Sequence, residues 1–249
     1  MIDGKVIVIS GGAGLLGKEF CQSIAANNGK VIIIDKCSKE KIIKREIKHD
    51  YFISIDICSK ELLQNAVKKV IQKFGRIDAL VNVAYPKNKN YGNDFFDVKI
   101  NDFNENIATH LGGYFLTTQV FSKYFKDAGK GNIINISSIY GVIAPKFKIY
   151  DKTSLTVPVE YALTKAAIIQ MSKYLAIYFK NSNIRVNSIS PGGIKDNQPE
   201  TFIKNYNNET LNKGMLDKND INGTLLFLLS DMSKYINGQN IIVDDGFSL

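Results

Sequence analysis

The chain has 249 residues, 45% of them hydrophobic, enough for one large core and better suited to a single α/β domain over 1–249 than to two small ones. Its formal net charge of +8 is scattered as lysines among carboxylates and asparagines. With no nucleic-acid motif in the chain, that charge reads as a solvated basic surface or a preference for anionic small molecules, and a nucleic-acid partner is not expected.

In chain order, the first apolar run is "KVIVIS" (Lys5–Ser10). It is far too short for a signal peptide or a membrane span, so the fold is expected to begin there, with no membrane partner. "SGGAGLLG" (Ser10–Gly17) follows and opens a helical stretch, Leu15–Asn27. Strand candidates come next at "KVIIID" (Lys30–Asp35), "YFISID" (Tyr51–Asp56) and "IDALVNV" (Ile77–Val83), with a helix over Lys60–Phe74. A long helix over Asp102–Phe125 precedes the strand "NIINIS" (Asn132–Ser137). A helix over Tyr161–Phe179 leads to "IRVNSIS" (Ile184–Ser190), and "NIIVDD" (Asn240–Asp245) closes the series. The strands are nearly continuous in β-branched residues, as expected of strands covered on both faces. Strand–helix alternation predicts an α/β fold: a doubly wound, Rossmann-like parallel sheet of about seven strands. The cysteines Cys21, Cys37 and Cys58 form no Cys-x-x-Cys or Cys/His cluster. They read as reduced thiols of a cytoplasmic protein without a structural metal.

The glycine loop has the context required of a dinucleotide site: a strand before it, a helix after it, and an acid, Asp35, at the end of the next strand. Gly11 would make the tight turn, Gly14 would let the backbone approach a pyrophosphate, and Gly17 would let the helix pack on the sheet. Leu15 and Leu16 open the helix, whose free N–H groups and partial positive charge suit phosphate. Asp35 can accept from both hydroxyls of an adenosine ribose and repels a 2′-phosphate, which favours NAD over NADP. Lys36 beside it works against that preference.

Further along, "YALTK" places Tyr161 and Lys165 four residues apart on one helix face. The succession of glycine loop, "VNVA", "NISS", Tyr-x-x-x-Lys, "SPGG" and "GQNIIVDDG" resembles the short-chain dehydrogenase/reductase family over essentially the whole chain. That resemblance implies an oxidoreductase in which Tyr161 is the general acid/base, Lys165 supports it and binds the nicotinamide ribose, and Ser138 orients the substrate oxygen. It implies that Asp56 and Ile57 lie beside the adenine, Asn82 and Ala84 near the adenosine ribose, and Pro191, Gly192 and Ile194 along the nicotinamide. It also implies a homodimer or homotetramer, built through the helices that contain His110 and Tyr161.

The chain departs from the family pattern in four places. Leu15 stands where the middle glycine is expected, a spacing that resembles the extended branch with its nucleotide-sugar epimerases and dehydratases. His110, in "THLGGYF", stands where the family has an asparagine that holds a relay water; a neutral histidine can serve there or can simply pack. Gly112 and Gly113 after it suggest close approach by a neighbouring element. Val83, Tyr85 and Asp196 replace the usual Asn, Gly and Thr. The Ser138–Tyr161 spacing is also longer than usual, and the segment Ile139–Glu160 is expected to be a substrate loop, with a surface or subunit contact as the alternative. Its lysines and hydroxyls suit a polar substrate, and "SSIYGVIAP" is similar to sugar-modifying members of flagellin-glycan and nonulosonate pathways. The expected function is thus NAD-dependent interconversion of a secondary alcohol and ketone on a sugar phosphate or nucleotide sugar. The alternatives are an NAD-dependent sugar epimerase or dehydratase, and a catalytically silent NAD(H)-sensing binding protein.

Overall fold

The computed structural model describes residues 2–249. Seven strands form one parallel sheet: β1 (Val6–Ser10), β2 (Lys30–Asp35), β3 (Tyr51–Ser54), β4 (Ala79–Asn82), β5 (Gly131–Ile136), β6 (Ile184–Pro191) and β7 (Asn240–Val243). Their order is β3-β2-β1-β4-β5-β6-β7, so the chain reverses direction of travel between β1 and β4. In such a sheet the crevice beyond the strands' carboxyl ends at that switch is where ligands bind. Each predicted strand is present, with ends that differ from the expected bounds by at most two residues.

The helices are α1 (Leu15–Ala26), α2 (Lys39–Lys44), α3 (Lys60–Phe74), α4 (Ile100–Asp127), α5 (Val159–Tyr178), α6 (Glu200–Asn207) and α7 (Asn222–Leu229). Ser59 caps α3, its hydroxyl accepting from the Leu62 N–H at 3.4 Å, and Gly75 ends the helix in the left-handed region at φ 77°. One face of the sheet packs Ile7, Ile9, Val31 and Ile33 against Phe20 and Ile24 of α1 and Leu225 and Leu228 of α7. The other packs Val8, Ile32 and Ile34 against α3 and α4, through Leu63, Val70, Phe121 and Phe125. Burying a side chain of this size is worth about 1.5–3 kcal/mol, so the sheet is the rigid base on which the crevice stands.

The segment Ile139–Glu160, expected as a substrate loop, has short elements of its own. It contains short 3₁₀ turns at Ile139–Gly141 and Phe147–Tyr150, and α5 begins inside it, at Val159. Ile139, Tyr140 and Ile149 bury themselves in a third apolar cluster with Phe202 and Tyr206 of α6, Met215 and Phe247. Its anchors are polar as well: Lys146 pairs with Glu209 at 3.1 Å, and Asn205 donates to the Ile149 carbonyl at 3.2 Å. One expectation needs correction, that of close approach at both glycines of α4. A Cβ at Gly113 would press on Ile57, as expected of close packing, whereas Gly112 faces open space.

Candidate active site

The carboxyl ends of β1, β4, β5 and β6 open into a cleft of about 740 Å³. Sixteen of the predicted site residues line it: Gly11, Gly14, Leu15, Leu16, Gly17, Asp35, Lys36, Asp56, Ile57, Ala84, Ser138, Tyr161, Lys165, Pro191, Gly192 and Ile194. Two do not. Asn82 is fully buried behind the wall, where its oxygen accepts from Ser10 Oγ at 3.0 Å and its amide donates to Thr118 Oγ1 at 3.0 Å and Asn135 Oδ1 at 2.9 Å. These hydrogen bonds tie the ends of β1, β4 and β5 to one another and to α4. His110 is likewise buried, between α4 and its neighbours.

At the floor, Gly11 has φ 82°, a conformation costly for any residue with a side chain, and it sits against the Ala84 backbone. Gly17 lies where a Cβ would run into the Gly11 carbonyl. The loop is therefore folded tightly enough for α1 to start immediately and present its first N–H groups to the cleft. Asp35 fixes the loop from the side: Oδ2 accepts from Ala13 N at 3.0 Å and Oδ1 from Cys37 N at 3.0 Å. Each oxygen keeps a further lone pair for a ribose hydroxyl. A glycine cradle, a helix N-terminus and a carboxylate at one end of the cleft fit the adenosine and pyrophosphate of a nicotinamide dinucleotide. Lys36 and Lys41 line the same end.

The opposite wall carries Ser138, Tyr161 and Lys165. β5 ends at Ile136, and the extended Ser137–Ser138 step that follows delivers Ser138 to the cleft, its hydroxyl accepting from Tyr140 N at 3.2 Å. Ser137 Oγ donates to the Lys165 carbonyl at 2.7 Å, which locks α5 against the end of β5. One helical turn along α5, Tyr161 and Lys165 face the cleft together. The Lys165 ammonium donates to the Ile136 carbonyl at 2.9 Å and lies over three rings, Tyr161 at 5.6 Å, Tyr114 at 5.7 Å and Tyr85 at 5.8 Å. Burial pulls its pKa down to about 7. Burial also pushes the Tyr161 phenol up, and the Ser138 hydroxyl pulls it the other way. Desolvation thus opposes the phenolate that a base needs, and a positive charge placed against the ring is what the cleft must gain to favour it.

Several residues at the site carry more than their sequence positions suggested. Tyr85 makes ring contacts with His110 at 5.1 Å and Tyr161 at 5.6 Å, and its hydroxyl donates to Tyr91 at 2.8 Å. The signal was present in the sequence, a bulky ring where a glycine is usual. Tyr206 accepts from Gly193 N at 2.6 Å and stacks on Phe247 at 4.3 Å, and no sequence spacing announced it. His110 is held well below its ordinary pKa by burial and by Lys165, so it is neutral. The loop's lysines do not line the cleft. Lys146 turns away to Glu209 and the Phe247 ring, and the loop's polar contributions to the wall are Tyr140, Tyr150 and Thr156. No helix among the described residues is long and apolar enough to cross a membrane.

Comparison with known proteins places this geometry. A family model described as enoyl-(acyl carrier protein) reductase matches residues 12–248. Post-translational flagellin modification protein A of Campylobacter coli is 41% identical over all of both chains. The 3-oxoacyl-[acyl-carrier-protein] reductase FabG of Thermotoga maritima is 31% identical over 98% of each. A short-chain dehydrogenase of Leptospira borgpetersenii, solved with bound NAD+, superposes with a TM-score of 0.88 at 34% identity, over 100% of this chain and 94% of that one. The chain belongs to the short-chain dehydrogenase/reductase family, oxidoreductases that use nicotinamide cofactors.

Proposed function

We propose that the chain is an NAD-dependent oxidoreductase interconverting a secondary alcohol and a ketone on a sugar carried by phosphate or nucleotide. The observation that carries this reading is the convergence of Ser138, Tyr161 and Lys165 on one wall of a cleft whose far end is closed by Asp35. When bound, NAD supplies the hydride chemistry, and the protein supplies position and proton traffic. Tyr161 exchanges a proton with the substrate oxygen, and Ser138 holds that oxygen by a hydrogen bond. Lys165 sets the charge beside the phenol and reaches for the nicotinamide ribose. Gly11, Gly14, Leu15, Leu16 and Gly17 cradle the pyrophosphate, Asp35 takes the adenosine ribose, and Asp56 and Ile57 flank the adenine. Ala84, Pro191, Gly192 and Ile194 line the rest of the dinucleotide's path, with Asn82 bracing it from behind.

The choice of sugar rests on the wall beyond Ser138. Tyr140, Tyr150, Thr156 and Tyr206 line that end, offering hydroxyls for hydrogen bonds and ring faces for the apolar side of a sugar. With the loop lysines turned outward, this wall reads the sugar rather than its phosphate. Support also comes from the Campylobacter relative, whose name places it in post-translational flagellin modification. The test is a panel of sugars, sugar phosphates, nucleotide sugars, steroids and acyl ketones, followed by NADH and NADPH absorbance in both directions. Turnover of nucleotide or phosphate sugars with NAD is expected. Turnover confined to steroids or acyl chains overturns the substrate, and a preference for NADP overturns the cofactor.

The same reading makes the protein a cytoplasmic homo-oligomer, a dimer or tetramer, through α4 and α5. Phe115, Leu163, Tyr174, Ile177 and Tyr178 are each at least half exposed on those two helices, apolar side chains that a second copy would cover. Sedimentation of the wild type and of Ile177→Asp, expected to shift toward monomer, tests it.

A further inference from the structure

Glu160 precedes Tyr161 in the chain, yet the mechanism above does not use it. It is 2% exposed, an expensive place for a carboxylate. One oxygen, Oε1, accepts from Asn106 Nδ2 on α4 at 3.1 Å. Asn106 cannot turn over, because its own oxygen accepts from the Asn88 N–H at 3.0 Å. Oε1 is therefore held as an acceptor. The other oxygen, Oε2, has no protein partner.

The second buried group without a partner in this region is Nε2 of His110, also 2% exposed. His110 follows Asn106 by four residues on α4, one turn or about 6 Å along the axis. Asn106, one turn before His110, is the residue bonded to Glu160, and Tyr85 links the two groups as well: its ring lies 5.1 Å from His110, and after burial the nearby Glu160 charge helps to push its phenol up. The titratable groups around the pair are Lys165 and Tyr161 of α5, Tyr114 of α4, and Tyr85 and Tyr91 of the β4–α4 connection. Asp102 and Glu105 lie farther out, on Asn88. His110 and Lys165 share two of these neighbours: both lie against the Tyr85 and Tyr114 rings.

We propose that Glu160 is a positioning residue which, through one bridging water, holds His110 as the Nε2–H tautomer. The water donates to Glu160 Oε2 and accepts from His110 Nε2–H, satisfying both partnerless atoms with one buried molecule. A neutral imidazole has a single N–H, so placing it on Nε2 leaves Nδ1 as the ring's acceptor. The Lys165 ammonium has three hydrogens and spends one on Ile136, so it has donors to offer such an acceptor. That use of Nδ1 rests on the reading of Lys165 given under Proposed function; the tautomer itself does not.

The experiment is nitrogen-15 NMR of the full chain labelled at histidine, with and without saturating NAD+. The chain has only two histidines, and His49→Gln assigns the pair. His49 is an internal reference of the opposite kind, since its Nδ1 lies 2.8 Å from the Ile47 carbonyl and must carry the proton there. The expected result is Nε2–H at His110 in the wild type. In Glu160→Gln, whose amide can donate as well as accept, the Nε2–H to Nδ1–H ratio is expected to fall at least tenfold, while Glu160→Asp keeps it. A wild type that carries Nδ1–H at His110 overturns the proposal, as does a ratio unchanged in Glu160→Gln. Should that variant not fold, the wild-type spectrum decides alone. The readout needs no turnover, so its failure is separate from failure of the assigned activity.

Discussion

Asp35→Ala tests the link between the glycine loop and cofactor choice. The carboxylate accepts from two backbone N–H groups, Ala13 and Cys37, both partly buried. A hydrogen bond to a charged group is worth about 1.5–3 kcal/mol, so at the low end the pair contributes about 3 kcal/mol that alanine cannot replace. For a chain of this size each kcal/mol moves Tm by about 2–4 °C, so the free protein should melt about 6–12 °C lower. NAD affinity should fall about tenfold or more for the same chemical reason, since the ribose loses a charged acceptor. NADP should lose less, because removing the negative charge also removes its repulsion of the 2′-phosphate. The wild type is expected to prefer NAD at least about tenfold, a gap that Asp35→Ala narrows. Asp35→Asn keeps one acceptor oxygen and should fall between the two in melting. Differential scanning calorimetry of the free protein and titration calorimetry with both dinucleotides supply the measurements. A free Asp35→Ala protein melting within about 2 °C of wild type, with NAD affinity intact, would refute the argument at its root.

Tyr161→Phe should retain NAD binding and lose about 10²–10⁴-fold in kcat, since only the proton-carrying oxygen is removed; near-wild-type kcat on the true substrate would remove Tyr161 from that role. Lys165, depressed to about 7 by burial, binds a proton on unfolding at any pH between that value and its ordinary one near 10.4, so the unfolded state holds more protons there and stability rises with pH. Chemical denaturation of the free protein should show that rise from about pH 7 toward 9.5, at up to about 1.4 kcal/mol per unit, and Lys165→Met should lack it; equal slopes would contradict the burial argument. His110→Asn should keep substantial activity and His110→Phe should lose much more if the ring's polar atoms matter, whereas equal wild-type rates in both would make His110 a packing residue. Phe247→Ala removes a ring stacked on Tyr206 in the third apolar cluster, and should raise the substrate KM while leaving NAD affinity within about twofold, as read by initial rates and calorimetry.

The strands were legible because a buried parallel strand is written locally, as a run of Val and Ile between turn residues. The glycine loop and the Tyr161–Lys165 pair were legible for a similar reason, since their members lie at fixed short spacings, and Asp35 because it closes a strand. α7 was missed because "NGTLLFLL" is apolar all round and lacks the period that marks a half-exposed helix. α6 is too short for a period to stand out. The loop lysines misled because composition says which groups a segment owns and not which way they point; Lys146 was taken by Glu209, a partner just past the end of α6. Glu160 could be seen only in three dimensions, since its hydrogen-bond partner Asn106 comes from another helix.

The third apolar cluster draws its members from Ile139 to Ile149, from α6, from Met215 and from Phe247, all in the second half of the chain, and none of them belongs to the cores that flank the sheet. A lineage could therefore exchange these segments together, reshaping one end of the cleft while the glycine-loop end and the wall of Ser138, Tyr161 and Lys165 stay as they are. The same separation predicts that amide exchange here will be faster than in β1, β4 and β5, and that a tight substrate, by filling the space between the two parts, will slow exchange across the outer unit more than NAD does.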